Sequence, residues 1–259
     1  MAIERTVPDG KAGVPSLVLK GVSRSFGSLK AVNDIHLSVE HGDRCALIGP
    51  NGAGKTTLIN LISGELHATA GQIFHCGEEV TGLPPHRRAA LGIARTFQIT
   101  NLFPNLTVGE SILLACQALE KTKFVIFRPL VSYRGYLDKA LDLLKQFDLY
   151  EKKNLLIKNL SHGDHRQIEV ALALAGQPRL LLLDEPAAGL SLSESHDLTR
   201  RLTNLDPAIT LIIIEHDLDV AFEVADHIVV MHQGKKLAEG SREEIKKNPV
   251  VQQIYLGVK

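Results

Sequence analysis

With 259 residues, the chain has room for one large domain or two modest ones around a substantial core. Its 29 basic and 29 acidic side chains cancel, which excludes a strong global field for nucleic acid. The three scattered cysteines (Cys45, Cys76 and Cys116) exclude a disulfide framework and a four-ligand zinc site and suit a reducing compartment.

Residues 1–15 carry Pro8, Gly10, Gly13 and Pro15 without an apolar signal core, and are expected to form a flexible leader. Residues 16–22 and 35–40 read as strands on either side of the turn Phe26-Gly27-Ser28. Next, Cys45-Ala46-Leu47-Ile48 reads as a buried strand, with Cys45 as a small apolar residue in it. The following Gly49-Pro50-Asn51-Gly52-Ala53-Gly54-Lys55-Thr56 matches G-x-x-x-x-G-K-[ST], and residues 57–62 open a helix. Strand, glycine-rich loop and helix N-terminus form the setting in which backbone N–H groups converge on a polyphosphate, aided by the helix dipole. Lys55 is expected to reach the β- and γ-phosphates, and the Thr56 hydroxyl to bind Mg²⁺.

Residues 72–75 and 93–97 read as further strands, separated by a short basic helix from Pro84. Thr107 and Glu110 form a capping box that opens a helix to about residue 119. Residues 137–147 carry a second helical pattern, with Leu141, Leu143, Leu144 and Phe147 on its apolar side. Ser161 and Asp164 repeat the capping-box pattern ahead of a long helix to about residue 175. Strand and helix then alternate: 180–183, 193–202, 210–215, 217–224 and 227–230. This is α/β grammar with a mostly parallel sheet, interrupted by a helical block. The longest apolar runs are too short to span a membrane.

The strand Leu180-Leu181-Leu182-Leu183 ends in Asp184 and Glu185, and acids at that end of a parallel sheet face the ligand crevice. Asp184 suits a Mg²⁺-side ligand, and Glu185 suits orienting or deprotonating an attacking water. Ile212-Ile213-Ile214 likewise ends in Glu215-His216-Asp217, where His216 can hydrogen-bond a γ-phosphate. Gln98, closing the strand from Ile93, can contact Mg²⁺ and water through its amide. The cluster His162, Asp164 and His165 lies on one helical turn and lacks a second group to close a metal sphere.

Taken in order, Gly49 to Thr56, Gln98, Leu160-Ser161-His162-Gly163-Asp164, Asp184-Glu185 and His216 resemble the nucleotide-binding subunit of an ABC transporter. The resemblance spans about residues 16–258, and Leu160 to Asp164 stands at the family's LSGGQ signature. It implies a P-loop NTPase nucleotide-binding domain: a RecA-like core (16–98 and 176–258), an antiparallel β subdomain and an inserted helical subdomain (about 99–175). It also implies a head-to-tail dimer, each ATP held by one subunit's Asn51, Gly52, Ala53, Gly54, Lys55, Thr56 and Thr57 and the other's Ser161 and Gly163. Phe26 matches the aromatic residue that stacks on adenine. Thr56, Gln98 and Asp184 match the Mg²⁺ side, and Glu185, His216 and Lys55 the hydrolytic groups.

Gly92-Ile93-Ala94-Arg95-Thr96-Phe97-Gln98, Leu102 to Val108, and the ending from Leu237 to Gly257 resemble the hydrophobic, branched-chain amino acid uptake group. Urea importers share the pattern, and lipid or lipopolysaccharide export ATPases share the C-terminal segment, so these remain alternatives for the cargo. The partners implied are permease subunits, a second ATPase subunit, identical or homologous, and, indirectly, a solute-binding protein. The implied location is peripheral, on the cytoplasmic face of the bacterial inner membrane. His162, Asp164 and Ser191 depart from the family pattern at the signature and after Gly189-Leu190. The basic-apolar stretch from Lys121 to Arg134 reads either as a packed surface arm or as a contact for membrane partners or anionic lipid headgroups.

Overall fold

The computed structural model describes residues 13–96, 102–118 and 134–256. Ten strands and nine α-helices lie within those residues. Strands β1 (Leu17–Phe26), β2 (Leu29–Val39), β4 (Ala70–His75) and β5 (Glu78–Glu79) form an antiparallel sheet in the order β2-β1-β4-β5. The six-stranded sheet has the order β10-β9-β3-β8-β7-β6: β3 (Arg44–Ile48), β6 (Ile93–Arg95), β7 (Leu180–Asp184), β8 (Thr210–Ile214), β9 (His227–His232) and β10 (Lys235–Ser241). Its pairings are parallel except for the β9–β10 hairpin at the edge.

The apolar runs of β7 and β8 follow from burial on both faces. Side chains alternate across a strand. Leu181, Leu183, Leu211 and Ile213 therefore enter one core cluster, and Leu180, Leu182 and Ile212 the other. The first cluster packs against α3 (Val108–Ala118), α4 (Arg134–Gln146), α5 (His162–Ala175), α6 (Leu192–Thr203) and α7 (Leu218–Val224). The second is closed by α1 (Lys55–Ser63) and the antiparallel sheet, through Leu58, Ile59, Leu61 and Ile62 against Leu17, Leu19 and Val22. The remaining helices are α2 (Pro85–Ala90), α8 (Arg242–Lys247) and α9 (Pro249–Leu256).

Arg88 of α2 is fully buried and donates to the carbonyls of Leu61 (2.6 Å), Ile62 (2.8 Å), Thr81 (2.9 Å) and Leu83 (2.9 Å). It satisfies carbonyls at the end of α1, which a helix leaves without intrahelical partners. Burial pushes its guanidinium down to about 10. Cys45 is buried in β3, and burial pushes its thiol upward.

Capping is readable where the spacing indicates it. Thr107 N–H donates to Glu110 Oε2 (2.8 Å) and Glu110 N–H to Thr107 Oγ1 (3.2 Å), closing the box ahead of α3. Two further boxes, Ser191 with Glu194 and Ser241 with Glu244, start α6 and α8. The strand expected over 35–40 is the second half of β2, which begins at Leu29; that exposed first half lacks an apolar alternation. The strand expected to reach Phe97 is described only to Arg95. β5, β10, α8 and α9 are additions; β10 is an edge strand of half-exposed residues and so carries little apolar signal. Among the described residues no helix is long and apolar enough to cross a membrane. Phe97, Gln98 and residues 1–12 and 119–133, which include most of the basic-apolar stretch, lie outside the described residues.

Candidate functional site

The P-loop connects β3 to α1 and is held by backbone packed against backbone. Gly54 is the N-cap of α1 at φ 98°, and a Cβ there would lie 2.2 Å from the Ala31 carbonyl of β2. Gly49, at φ 150°, would bring a Cβ to 2.2 Å from the Met231 carbonyl of β9. Gly234, in the β9–β10 turn, donates its N–H to Ala53 O (3.0 Å) and accepts from Asn33 N (2.8 Å). Both sheets thus clamp the loop, while Asn51 and Gly52 stay exposed and Gly52 faces open space. Ala53 is buried, and Thr56 and Thr57 are half-buried on the first turn of α1. Lys55, 5% exposed, folds its ammonium over the loop onto the carbonyls of Gly49 (2.7 Å) and Pro50 (3.2 Å). Burial pulls its pKa down, against the attraction of Glu185 and Asp184. A buried ammonium beside a glycine-rich helix N-terminus suits a polyphosphate.

β7 and β8 bring the acids to this loop. Asp184 is buried, its Oδ1 3.5 Å from Thr56 Oγ1 and its Oδ2 3.3 Å from Arg95 Nη2. Burial raises its pKa, and Arg95 opposes that rise. Thr56 and Asp184 are hard oxygen donors with one carboxylate charge, a set that suits Mg²⁺ shared with phosphate oxygens. Arg95 also donates to Asn60 Oδ1 of α1, so β6, β7 and α1 meet at one guanidinium. A role for Arg95 in aiming Asp184 escapes sequence reading; the signal available is a basic residue in a short strand paired with the acid-bearing one.

Glu185 leaves β7 in the left-handed region at φ 51°, a conformation that costs a non-glycine residue about 1–2 kcal/mol. Its N–H is fixed to Ile214 O (2.9 Å), and Oε1 contacts His216 Nε2 at the end of β8. His216 and Glu185 are partly exposed, their side chains 45% and 24% accessible. Glu215, the chain neighbour of His216, is 4% exposed, and its Oε1 accepts from Ala187 N (3.0 Å). Burial pushes its carboxyl up to about 7, against hydrogen bonds from the Ala187 and His216 backbones. Phe26, at the end of β1, is 45% exposed and carries the Arg24 guanidinium 4.7 Å from its ring centroid.

The turn from Leu160 to Asp164 stands elsewhere. Ser161 and His162 are exposed, and Ser161 caps α5 by accepting from Asp164 N (3.1 Å). The Asp164 carboxylate takes Lys152 Nζ at 2.6 Å. Burial raises its pKa, but Lys152 and Ser161 outweigh that and hold it below the usual range. Gly163 is buried where a Cβ would lie 2.2 Å from Glu194 Oε1. His162 Nε2 lies 3.4 Å from Ala188 O, and His165 Nε2 lies 2.8 Å from Ile157 O. The three polar groups of this turn therefore point to three different partners. Among the described residues no hydrogen bond or ion pair joins this turn to the P-loop. Ser191, one of the departures, spends its hydroxyl on the α6 capping box.

The ABC transporter profile matches residues 32–188, and the branched-chain amino acid ATP-binding cassette transporter profile matches residues 235–259. The chain is 40% identical over 250 residues to the high-affinity branched-chain amino acid transport ATP-binding protein BraF of Pseudomonas aeruginosa, covering 94% of this chain and 98% of that protein. It is 38% identical over 252 residues to LivG, the protein of the same description from Escherichia coli, with the same two coverages. Among solved structures, a nucleotide-free ATP-binding cassette from an ABC transporter superposes with TM-score 0.81 at 32% identity, covering 94% of this chain and all of that one. An ADP conformation of an ABC transporter cassette gives TM-score 0.80 at 31% identity, covering 94% and 99%. Sequence, fold and site agree: the chain is an ATP-binding cassette and belongs to the ABC transporter family.

Proposed function

We propose that this chain is the ATP-hydrolysing subunit of an importer for branched-chain amino acids. The observation that carries the reading is the meeting of Lys55, Thr56, Asp184, Glu185 and His216 at the ends of three neighbouring parallel strands. ATP is the substrate. The loop from Gly49 to Thr56 binds its phosphates through backbone N–H groups, and Lys55 neutralises charge that develops on them. Thr56 and Asp184 would hold Mg²⁺, which would add charge neutralisation when bound, and Gln98 is assigned to the same side. Glu185 orients the attacking water and accepts its proton, while His216 holds the Glu185 carboxylate and senses the γ-phosphate. Phe26 stacks on the adenine.

The exposed Ser161 and the N-terminus of α5 complete the site of a second ATPase subunit, so that closure around ATP and reopening after hydrolysis form the working stroke. A solved relative at 25% identity and TM-score 0.74 is a dimeric, post-hydrolysis cassette bound to ADP and phosphate, which supports this arrangement. Residues 16–98 and 176–258 act as the catalytic core, and about 99–175 as the helical subdomain that meets the permeases. An apolar groove of about 260 Å³, lined by Pro85, Ala89, Ala115, Ala118 and Leu172, runs between α2, α3 and α5 and supports a permease contact there. The subunit is then peripheral, on the cytoplasmic face of the inner membrane, and a solute-binding protein reaches it only through the permeases. The relatives named for branched-chain amino acid transport favour that cargo over urea or lipid. Co-purification of the tagged chain from its native membranes should bring down two permeases and a second ATPase or a second copy. The recovered complex should hydrolyse ATP faster with a leucine-loaded binding protein; stimulation by urea or lipid instead would overturn the cargo.

A further inference from the structure

Glu185 sits in a backbone conformation that its surroundings must impose. One constraint is visible on each side of it. Its own N–H is fixed to Ile214 O at 2.9 Å, and its carbonyl accepts from Ala188 N at 3.1 Å. Two residues on, Ala187 N–H points into the protein and is received by Glu215 Oε1 at 3.0 Å. Glu215 follows β8 directly, adjacent to the Ile214 carbonyl that holds Glu185 N–H. The turn carrying Glu185 is therefore fastened twice to the end of one strand. We infer that Glu215 is a positioning residue for ATP hydrolysis: its buried carboxyl oxygen, by accepting the Ala187 N–H, holds the turn that aims Glu185. The inference rests on the role of Glu185 proposed above.

A carboxylate buried to 4% exposure costs free energy unless its oxygens are used. Glu215 makes no contact with the P-loop lysine among its described hydrogen bonds; its Oε1 takes a backbone N–H of the catalytic turn, and the His216 backbone is a further donor. What matters in this arrangement is an acceptor oxygen at that place, not a negative charge. An amide presents the same oxygen at the same reach, without the charge whose burial raises the pKa of the acid. Without the acceptor, the Ala187 N–H loses its partner and the turn of the left-handed Glu185 loses one of its two bonds to the end of β8.

The test compares Glu215→Gln with Glu215→Leu in the full chain, measuring kcat and KM for ATP and protection of the Ala187 amide from hydrogen exchange. Glu215→Gln should keep kcat within about twofold. Glu215→Leu should lower kcat about 10- to 100-fold with KM within about twofold, because binding through the P-loop is untouched. Wild-type kcat in Glu215→Leu, or a loss in Glu215→Gln equal to that in Glu215→Leu, overturns the inference. Should Glu215→Leu not fold, exchange decides: unprotected Ala187 N–H in the wild type, or protection lost in a folded Glu215→Gln, overturns it equally. Glu185→Gln, run alongside, separates the two readings. If it hydrolyses ATP normally, the role of Glu185 fails; if it is inactive while Glu215→Leu is not, only the positioning role fails.

Discussion

The P-loop and the turn from Leu160 to Asp164 are both glycine-containing helix N-termini, yet they are built in opposite ways. The P-loop is clamped by carbonyls and N–H groups of β2, β9 and the β9–β10 turn, and its lysine is buried. The second turn is held by side chains on its inner side, through Ser161 with Asp164, Asp164 with Lys152, and Glu194 against Gly163, and its outer residues face solvent. Rigid backbone anchoring suits a site that must be preformed before phosphate arrives. A turn ordered from behind and open in front suits a surface completed by another subunit.

Four changes would break or sharpen that contrast. Arg88→Leu removes the buried donors that hold the end of α1 and should cost about 3 kcal/mol of unfolding free energy, read by denaturant titration. A loss near zero would mean that α1 is anchored elsewhere. Lys55→Ala should weaken ATP binding by about 100-fold, or about 2.7 kcal/mol, in calorimetric titration, with the fold intact. Glu215→Gln should change the pH dependence of stability. The folded carboxyl titrates near 7 and an unfolded one near 4.3, so the folded chain holds the extra proton between them and wild-type stability falls as pH rises through that window. The amide variant should therefore gain roughly 3 kcal/mol over wild type at pH 8, and little at pH 4.5, in parallel melts. Ser161→Ala should cost about 1 kcal/mol through the lost cap and leave ATP affinity of the isolated chain within about twofold. A large affinity loss there would place Ser161 in its own subunit's site.

Much of this contrast is legible in the sequence. The P-loop declares itself because only glycines tolerate the close approach of Ala31 O and Met231 O, and β7 and β8 because strands buried on both faces are continuously apolar and end in acids. The caps at Thr107 and Ser161 are legible because the spacing dictates the bond; Ser191 with Glu194 carries the same spacing, hidden by its comparison with the family's acid. What stays hidden depends on partners distant in the chain. Arg88 looks like a surface cation until the carbonyls of α1 surround it, 26 and 27 residues away. Arg95 and Asp184 are 89 residues apart, and Glu215 finds Ala187 across 28 residues, with nothing local to indicate either pairing. The left-handed Glu185 is likewise imposed by β8, since glutamate has no preference for that conformation.

The most direct test of the account is ATP turnover and ATP retention by Glu185→Gln. The amide keeps the size of the side chain and removes its ability to take a proton from water. Hydrolysis should fall by about 100-fold or more, with ATP binding within a few-fold of wild type and accumulation of an ATP-bound dimer. Hydrolysis at the wild-type rate would contradict that role for Glu185.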